Sequence, residues 1–443
     1  MLTAIHDVAT SQPLLDRLLD ARRRSDALFS IVRPGSLYDR PIPERHRIIF
    51  YIGHLEAFDW NLLRDVLGLR SFQPEFDKLF SFGIDPVDGG LPADQPADWP
   101  SLGVVREYLG KICGALDEAL SSAMRNPETH TRDGFGLDTL LHVAIEHRLM
   151  HVETLAYMLH QLPLSSKISQ ASDTVPASAL FTPRMIEIPA GAATLGLLRD
   201  SGTFGWDNEF EAQSVDVPAL EIDQFMVTNR QFLEFMNAGG YEDRAHWDNE
   251  SWNWKTAQAV LHPVFWTKAN EGWILRTMFD EIALPLDWPV YVSHAEASAY
   301  ARWAGKSLPS ETQWQRAAYG SPDGTEREYP WGNEAPLSQR GNFDLHRWDP
   351  VPVNYHPRGQ SAFGVHDMLG NGWEWTSTPF APLPGFEAFP FYSGYSANFF
   401  DGKHFVMKGG SPRTAACMLR PTFRNWFQAH YQYVYAGFRC TNS

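Results

Sequence analysis

Along residues 138–160, DTLLHVAIEHRLMHVETLAYMLH, apolar side chains return every three or four positions. They are Leu140, Leu141, Ala144, Ile145, Leu149, Val152, Leu155, Ala156 and Leu159. No Pro or Gly interrupts them, so the pattern predicts one helix, with Asp138 as its N-cap and Pro163 closing it beyond His160. Residues 10–29 repeat the pattern with Leu14, Leu15, Leu18, Leu19, Ala21 and Leu28, and put Arg22, Arg23 and Arg24 on an expected solvated face. Pro41-Ile42-Pro43 opens a further helix over 44–68, and another runs over 101–125, after a Gly/Pro/Asp-rich loop from Phe72 to Pro100. Four amphipathic helices pack most economically around one core, as a four-helix bundle.

Residues 163–183, PLSSKISQASDTVPASALFTP, are weakly patterned and rich in Ser, Ala and Pro, as linkers are. From Met185 short β-like runs (MIEIPAG, ATLGL, FMVTN, HFVMKGG) alternate with Gly/Pro/Asn/Trp loops. Helices are expected there at Asn229–Asn237, His294–Trp303 and Glu311–Tyr319. The expected organisation is a helical bundle over 1–165, a linker over 166–183 and an α+β domain over 184–443. Long aromatic loops on a scaffold of short elements suit a binding surface.

Composition narrows the function. At 443 residues the chain is too long for one ordinary core. Its 37 basic and 53 acidic residues leave a formal charge of −16, which argues against nucleic acid or an anionic membrane as partner. No apolar run approaches a membrane span and no signal peptide is evident. Three dispersed cysteines, Cys113, Cys417 and Cys440, fit a reducing cytoplasm better than a disulfide scaffold.

The candidate chemistry lies in three histidines. His147 and His151 are one turn apart on the 138–160 helix, so their rings leave the same face. His54, in FYIGHLEAFDWNLL, would complete the set from a second helix. Three neutral imidazoles converging on one ion leave positions open, which is the pattern of a catalytic iron or zinc site. HxxxH pairs are also common as solvated or core histidines. His142 and His160 lie off the 147/151 face and read as structural. Glu56, Asp59, Glu146 and Glu153 are all available to fix imidazole tautomers, and sequence does not choose among them.

The second half carries three specific segments: SLPSETQWQRAAYG (307–320), FGVHDMLGNGWEWTSTPF (363–380) and FVMKGGSPRTAACMLRPTFRNWFQAHYQYVYAGFRC (405–440). In this order they resemble the formylglycine-generating-enzyme fold over residues 185–443. Gly370 and Gly372 allow tight turns that bury Trp373 and Trp375, for which core packing is the favoured role. The copper-binding cysteine pair of those enzymes is absent, because Cys417 has no partner before Cys440. Their activity is therefore not expected.

A bundle with Gly53-His54-Leu55-Glu56-Ala57-Phe58 and Glu146-His147-Arg148-Leu149-Met150-His151 ahead of this fold resembles a narrower family, the ergothioneine-type sulfoxide synthases. The resemblance implies a DinB-like four-helix bundle that binds Fe(II) through His54, His147 and His151. Hercynine (N,N,N-trimethylhistidine), dioxygen and a second substrate are the implied reactants. The family's FRNW segment recurs as Phe423-Arg424-Asn425-Trp426, so Asn425 and Trp426 inherit the hercynine carboxylate. Trp373, Trp375, Phe380, Tyr431 and Tyr433 are aromatic candidates for the trimethylammonium group. Arg413, Arg420, Arg424 and His430 are polar candidates for the second substrate, each equally readable as an ion-pair residue. Phe82 is carried as a further substrate-loop candidate.

The departures bear on that second substrate. Phe427 stands where γ-glutamylcysteine-using members carry Asp, and Met150 where members carry Gln. The Tyr-Tyr pair of cysteine-using members is missing from Asp77–Asp85. These features resemble the selenoneine synthase branch, which joins hercynine to a selenosugar, and C–Se bond formation is the expected reaction. C–S bond formation from cysteine or γ-glutamylcysteine is the alternative. A non-catalytic ligand-binding module and a zinc thiol transferase are the readings outside this family.

Overall fold

The computed structural model describes residues 14–81, 91–125, 130–170 and 181–442. Its chain divides into two compact units, at residues 171 and 172.

The first unit is helical. It contains α1 (Leu14–Ser30), α2 (Ile48–Leu63), α3 (Pro74–Leu79), α4 (Leu102–Ala123) and α5 (Leu137–His160), with a two-stranded hairpin of β1 (Thr131–Arg132) and β2 (Phe135–Gly136) before α5. α5 is the central element, and nearly every one of its side chains is buried. That explains its weak amphipathicity, since a helix packed on all sides has no polar face. Its N-cap is Gly136, so Asp138 sits inside the first turn instead, where its charge favours the helix dipole. α3 falls within the expected loop. It starts at Pro74, whose missing N–H costs nothing at the first helical position.

Arg22 departs from its expected solvated place. It is buried, pairing with Asp117 at 2.6 Å and Glu56 at 3.4 Å. Residues 166–168, expected in the linker, are tied to the end of α1. Arg33 N–H donates to the Ser166 carbonyl, and Ile168 N–H to that of Ile31.

The second unit is α+β. Its strands are β3 (Met185–Ile188), β4 (Gly191–Leu195), β5 (Gln213–Val217), β6 (Leu220–Asp223), β7 (Trp266–Lys268), β8 (Trp273–Arg276), β9 (Glu281–Ala283), β10 (Gly372–Pro379), β11 (His404–Gly410), β12 (Asn425–Gln428), β13 (Ala436–Gly437) and β14 (Thr441–Asn442). The helices are α6 (Asn229–Asn237), α7 (Asn249–Ala257), α8 (His294–Trp303) and α9 (Glu311–Tyr319). α6, α8 and α9 match the expected spans, while α7 was not anticipated. FMVTN forms no strand, and only Thr228 makes an isolated bridge, to Pro289. α6, α8 and α9 all open on capping boxes, at Thr228, Ser293 and Ser310.

The main sheet runs β12-β11-β10-β13, with β10 and β13 parallel and the other pairs antiparallel. Behind it the three sequence segments converge on one buried ion pair. Arg439 of GFR donates bidentately to Glu374 of GWEW at 2.6 and 2.7 Å, and Trp314 of the α9 segment donates its indole N–H to the same carboxylate at 3.1 Å. Those residues are fully buried, so the motifs mark a structural knot. Gly370 has φ +88°, and a Cβ there would lie 2.7 Å from the Asn342 carbonyl oxygen, which is why the turn into β10 needs glycine.

Candidate metal centre

α2 and α5 bring three histidines together from positions nearly a hundred residues apart. One ligand atom from each of His54, His147 and His151 lies within 4.8 Å of the other two, and all three residues are buried. Ring centroids are 4.9 Å apart for His54–His151, 5.3 Å for His54–His147 and 4.5 Å for His147–His151. The Nε2 atoms of His54 and His151 approach to 3.3 Å. Two nitrogens bound to one ion at ~2.1 Å and near-tetrahedral or octahedral angles are themselves separated by about 3.0–3.4 Å. The His54–His151 pair therefore stands at the separation of two donors on one ion, with a His147 nitrogen within 4.8 Å of both.

The rings of His54 and His147 are fixed from behind. The Nδ1–H of His54 donates to the Phe80 carbonyl at 2.7 Å, which leaves Nε2 with its lone pair facing the cluster. Phe80 reaches that place because residue 53 is glycine: a Cβ there would stand 2.4 Å from the Phe80 ring. Phe58, one turn beyond His54, lies flat on His147 with centroids 3.4 Å apart and planes 12° apart. Phe50, one turn before, stacks on His54 at 5.0 Å.

Burial lowers all three imidazole pKa values, that of His54 to about 4 and those of His147 and His151 well below the ordinary range. They are held neutral, as metal ligands must be.

Of the four carboxylates available near the histidines, two are turned to cations. Arg148, immediately after His147, donates to Glu56 at 2.9 Å and to Asp59 at 2.7 Å, and also to the Leu55 carbonyl and Ser25 hydroxyl. Burial pushes the Glu56 carboxyl up, but Arg148 and Arg22 outweigh it and hold it below its usual range. The carboxylates thus bolt α5 to α2 beside the ligands, and the tautomer of His54 is set by a backbone carbonyl instead. Sequence reasoning missed Phe80, Phe58 and Arg148. Phe58 alone left a trace, as the aromatic residue closing the Gly-His motif. His142 and His160 are outside the cluster, as expected.

In the second unit, Asn425 and Trp426 open β12, half-buried, opposite Met407 and Val406 of β11. Phe380 stacks on Trp426 at 4.2 Å and 7°, and the Arg424 guanidinium lies over the Phe380 ring at 5.1 Å. Trp373 and Trp375 are core residues, and the Trp375 indole donates to the Val292 carbonyl at 2.9 Å. Tyr431 and Tyr433 are half-buried and meet edge to face, with Phe427 stacked on Tyr431 at 5.0 Å.

The polar candidates have protein partners. Arg424 binds Glu311 through two bonds and the carbonyls of Ala381 and Asn208 through others, while Arg420 binds Glu209. Arg413 stacks over Trp348 at 3.9 Å, and His430 over Trp254 at 4.8 Å. Phe82 lies outside the described residues.

A helical bundle with a three-histidine cluster, followed by an α+β domain of this kind, defines a metalloenzyme class, and comparison with known proteins narrows it. Residues 17–155 match the DinB superfamily, and residues 170–443 match the sulfatase-modifying factor enzyme 1-like domain. The chain is 34% identical to hercynine oxygenase from Mycolicibacterium thermoresistibile over 96% of its own length and 94% of the relative's. It is 37% identical to hercynine oxygenase from Mycobacterium tuberculosis, over 75% of this chain and 76% of that one. Ergothioneine biosynthesis protein 1 from Neurospora crassa is 27% identical over 91% of this chain, which spans 54% of that longer protein. The chain belongs to the hercynine oxygenase family, the ergothioneine-type sulfoxide synthases, and is an enzyme. Among the described residues, no helix is long and apolar enough to cross a membrane.

Proposed function

We propose that this protein is a mononuclear non-heme Fe(II), O2-dependent enzyme that joins a chalcogen to C2 of the hercynine imidazole. The buried cluster of His54, His147 and His151 carries the reading, because three neutral imidazoles, joined by no carboxylate among the described residues, leave an ion with free positions. A ferrous ion held there supplies the one-electron redox chemistry that dioxygen requires.

The chain's own residues bind and orient. Trp426 and Asn425 hold the hercynine carboxylate through side-chain N–H donors, and Tyr431 and Tyr433 offer aromatic faces to the trimethylammonium group. Trp373, Trp375 and Phe380 act through packing: the first two build the floor of β10, and Phe380 props Trp426. Orientation is the protein's main task, since C2 and the attacking atom must come within about 3–3.5 Å.

The chalcogen donor is a selenosugar in this proposal. Phe427 supports it: where a carboxylate would anchor a charged dipeptide, an aromatic ring stacks on Tyr431 instead. A thiol donor, cysteine or γ-glutamylcysteine, is the second reading, and the name of the fungal relative, an ergothioneine biosynthesis protein, favours it. The protein loaded with Fe(II) is incubated in air with hercynine and each donor in turn, with mass spectrometry of the products and an oxygen electrode. A product carrying selenium and the sugar, formed faster than any sulfur adduct, is expected. Turnover only with a thiol would replace the donor, and no oxygen uptake with any donor would end the assignment.

A further inference from the structure

Five consecutive residues ahead of Asn425 are each tied to a buried charged group. Arg420 donates to Glu209 at 2.8 Å, and the Thr422 hydroxyl donates to the same carboxylate at 2.5 Å. The Lys408 ammonium donates to the carbonyls of Pro421 and Phe423, both at 2.9 Å. Arg424 then closes the run with its paired bonds to Glu311 at 2.8 and 3.0 Å. Glu209, Lys408, Glu311 and Arg424 are all nearly inaccessible to solvent.

Residues 420–424 form neither helix nor strand, so their carbonyls have no ladder to join. A turn of this kind is stabilised more cheaply by apolar packing than by burying two cations and two carboxylates, each of which loses its hydration, beside the half-buried Arg420. What buried charge pairs provide in exchange is a single geometry. Here the fixed run ends at the first residue of β12, where the two proposed hercynine contacts begin. Counting Lys408, Arg420 and Arg424 against Glu209 and Glu311, the clamp keeps one net positive charge, the sign that suits a nearby substrate carboxylate.

We propose that Lys408, together with Glu209 and Glu311, positions Asn425 and Trp426 for the carboxylate of hercynine, a role that rests on the substrate reading of Asn425 and Trp426 given above. Lys408 touches no substrate. It acts through two main-chain carbonyls and sets the angle at which β12 begins. Burial lowers its pKa to about 8, which leaves it mostly charged at neutral pH.

The test is steady-state kinetics on the full-length, Fe(II)-loaded protein. Lys408→Met should raise the hercynine KM about tenfold and leave kcat within about twofold. Iron content and the KM of the chalcogen donor should not change. Lys408→Arg, which keeps a charged donor, should recover most of the loss. In an Asn425→Ala background, adding Lys408→Met should change the hercynine KM by less than about twofold, because the two act through one contact.

Unchanged KM in Lys408→Met, with a raised KM in Asn425→Ala, overturns the positioning role and leaves the substrate reading standing. Unchanged KM in Asn425→Ala overturns both. A parallel loss in kcat, in both KM values and in iron content marks Lys408 as merely structural and also overturns the proposal. Should Lys408→Met fail to fold, Thr422→Val, which removes one hydroxyl from the same clamp, is expected to give the same KM-selective effect at smaller size, and a flat result there counts against it.

Discussion

The Nε2 atoms of His54 and His151 stand 3.3 Å apart although the residues belong to different helices, 97 positions apart in the chain. With Nδ1–H of His54 spent on the Phe80 carbonyl, its Nε2 can accept from His151 or bind an ion. The two nitrogens stand at the separation that two donors on one ion take. His147→Ala removes one of three donors and should lower metal affinity by more than the roughly 10–100-fold that losing a supporting contact costs. Metal analysis after dialysis should find the variant empty, and turnover should vanish with the metal. A fully loaded His147 variant would remove the centre from the mechanism.

Gly53 sets the distance between α2 and the Phe80 segment. In Gly53→Ala the new methyl group meets the Phe80 ring at 2.4 Å, so either the ring or the helix must move. Overpacking of this kind costs about 1–3 kcal/mol. Movement of Phe80 also loosens the carbonyl that holds His54 Nδ1. The variant should therefore show a lower thermal midpoint together with weaker metal binding. A lowered midpoint with unaltered affinity would mean that the His54–Phe80 bond does not matter to the ion.

How much of this was legible in the sequence follows from the range over which each signal acts. His147 and His151 share a helix face, and helical spacing alone aligns them. His54 could be offered as the third histidine from a second helix, but the family resemblance was what assigned it as a ligand, since no periodicity reports which helix lies opposite. The Phe80 carbonyl was out of reach, because a loop and a short Pro-initiated helix separate it from His54 and a backbone acceptor has no residue type to recognise. Arg22 was misplaced because it stands in a run of three arginines whose other members are more exposed, and only the fold shows that one of them meets Glu56. In the second unit the motif residues were found readily, yet Glu374, Arg439 and Glu311 turn out to be partners of one another or of Arg424. Their pattern records the knot that shapes the domain more than the site it carries.

Arg148 makes a separate prediction. Arg148→Met leaves Glu56 and Asp59 facing a buried apolar side chain, with Arg22 as the remaining cation nearby. Breaking a buried pair by deleting one partner costs about 3–5 kcal/mol. Chemical denaturation should show a loss of that size. Adding Glu56→Gln and Asp59→Asn to the same chain should return a good part of it, because the penalty is chiefly uncompensated charge. No recovery in the triple variant would assign the loss to packing.

Two kinds of buried group should answer pH in opposite directions. In the bundle, burial lowers the three imidazole pKa values, that of His54 to about 4. Between pH 6.5 and 4 the unfolded chain takes up protons there that the folded one refuses. Through these imidazoles the stability of metal-free protein should be constant above pH 6.5 and fall as acid is added, by about 3 kcal/mol through His54 alone. In the second unit burial raises the Asp367 carboxyl to about 8, with its Oδ1 lacking a protein partner among the described residues and its Oδ2 accepting from Asn371. Between pH 4 and 8 the folded chain holds a proton there that the unfolded one has released, so stability from this group is greatest in acid and falls as pH rises toward 8. Asp367→Asn mimics the protonated form. Its stability relative to the parent should grow from pH 5 to about pH 8 and level off above it, while His54→Phe, measured without metal, should flatten the acid limb below pH 6.5. Denaturation midpoints of the three proteins across that range decide both signs, and a pH-independent gap between parent and Asp367→Asn would show that the carboxyl is ionised in the folded state.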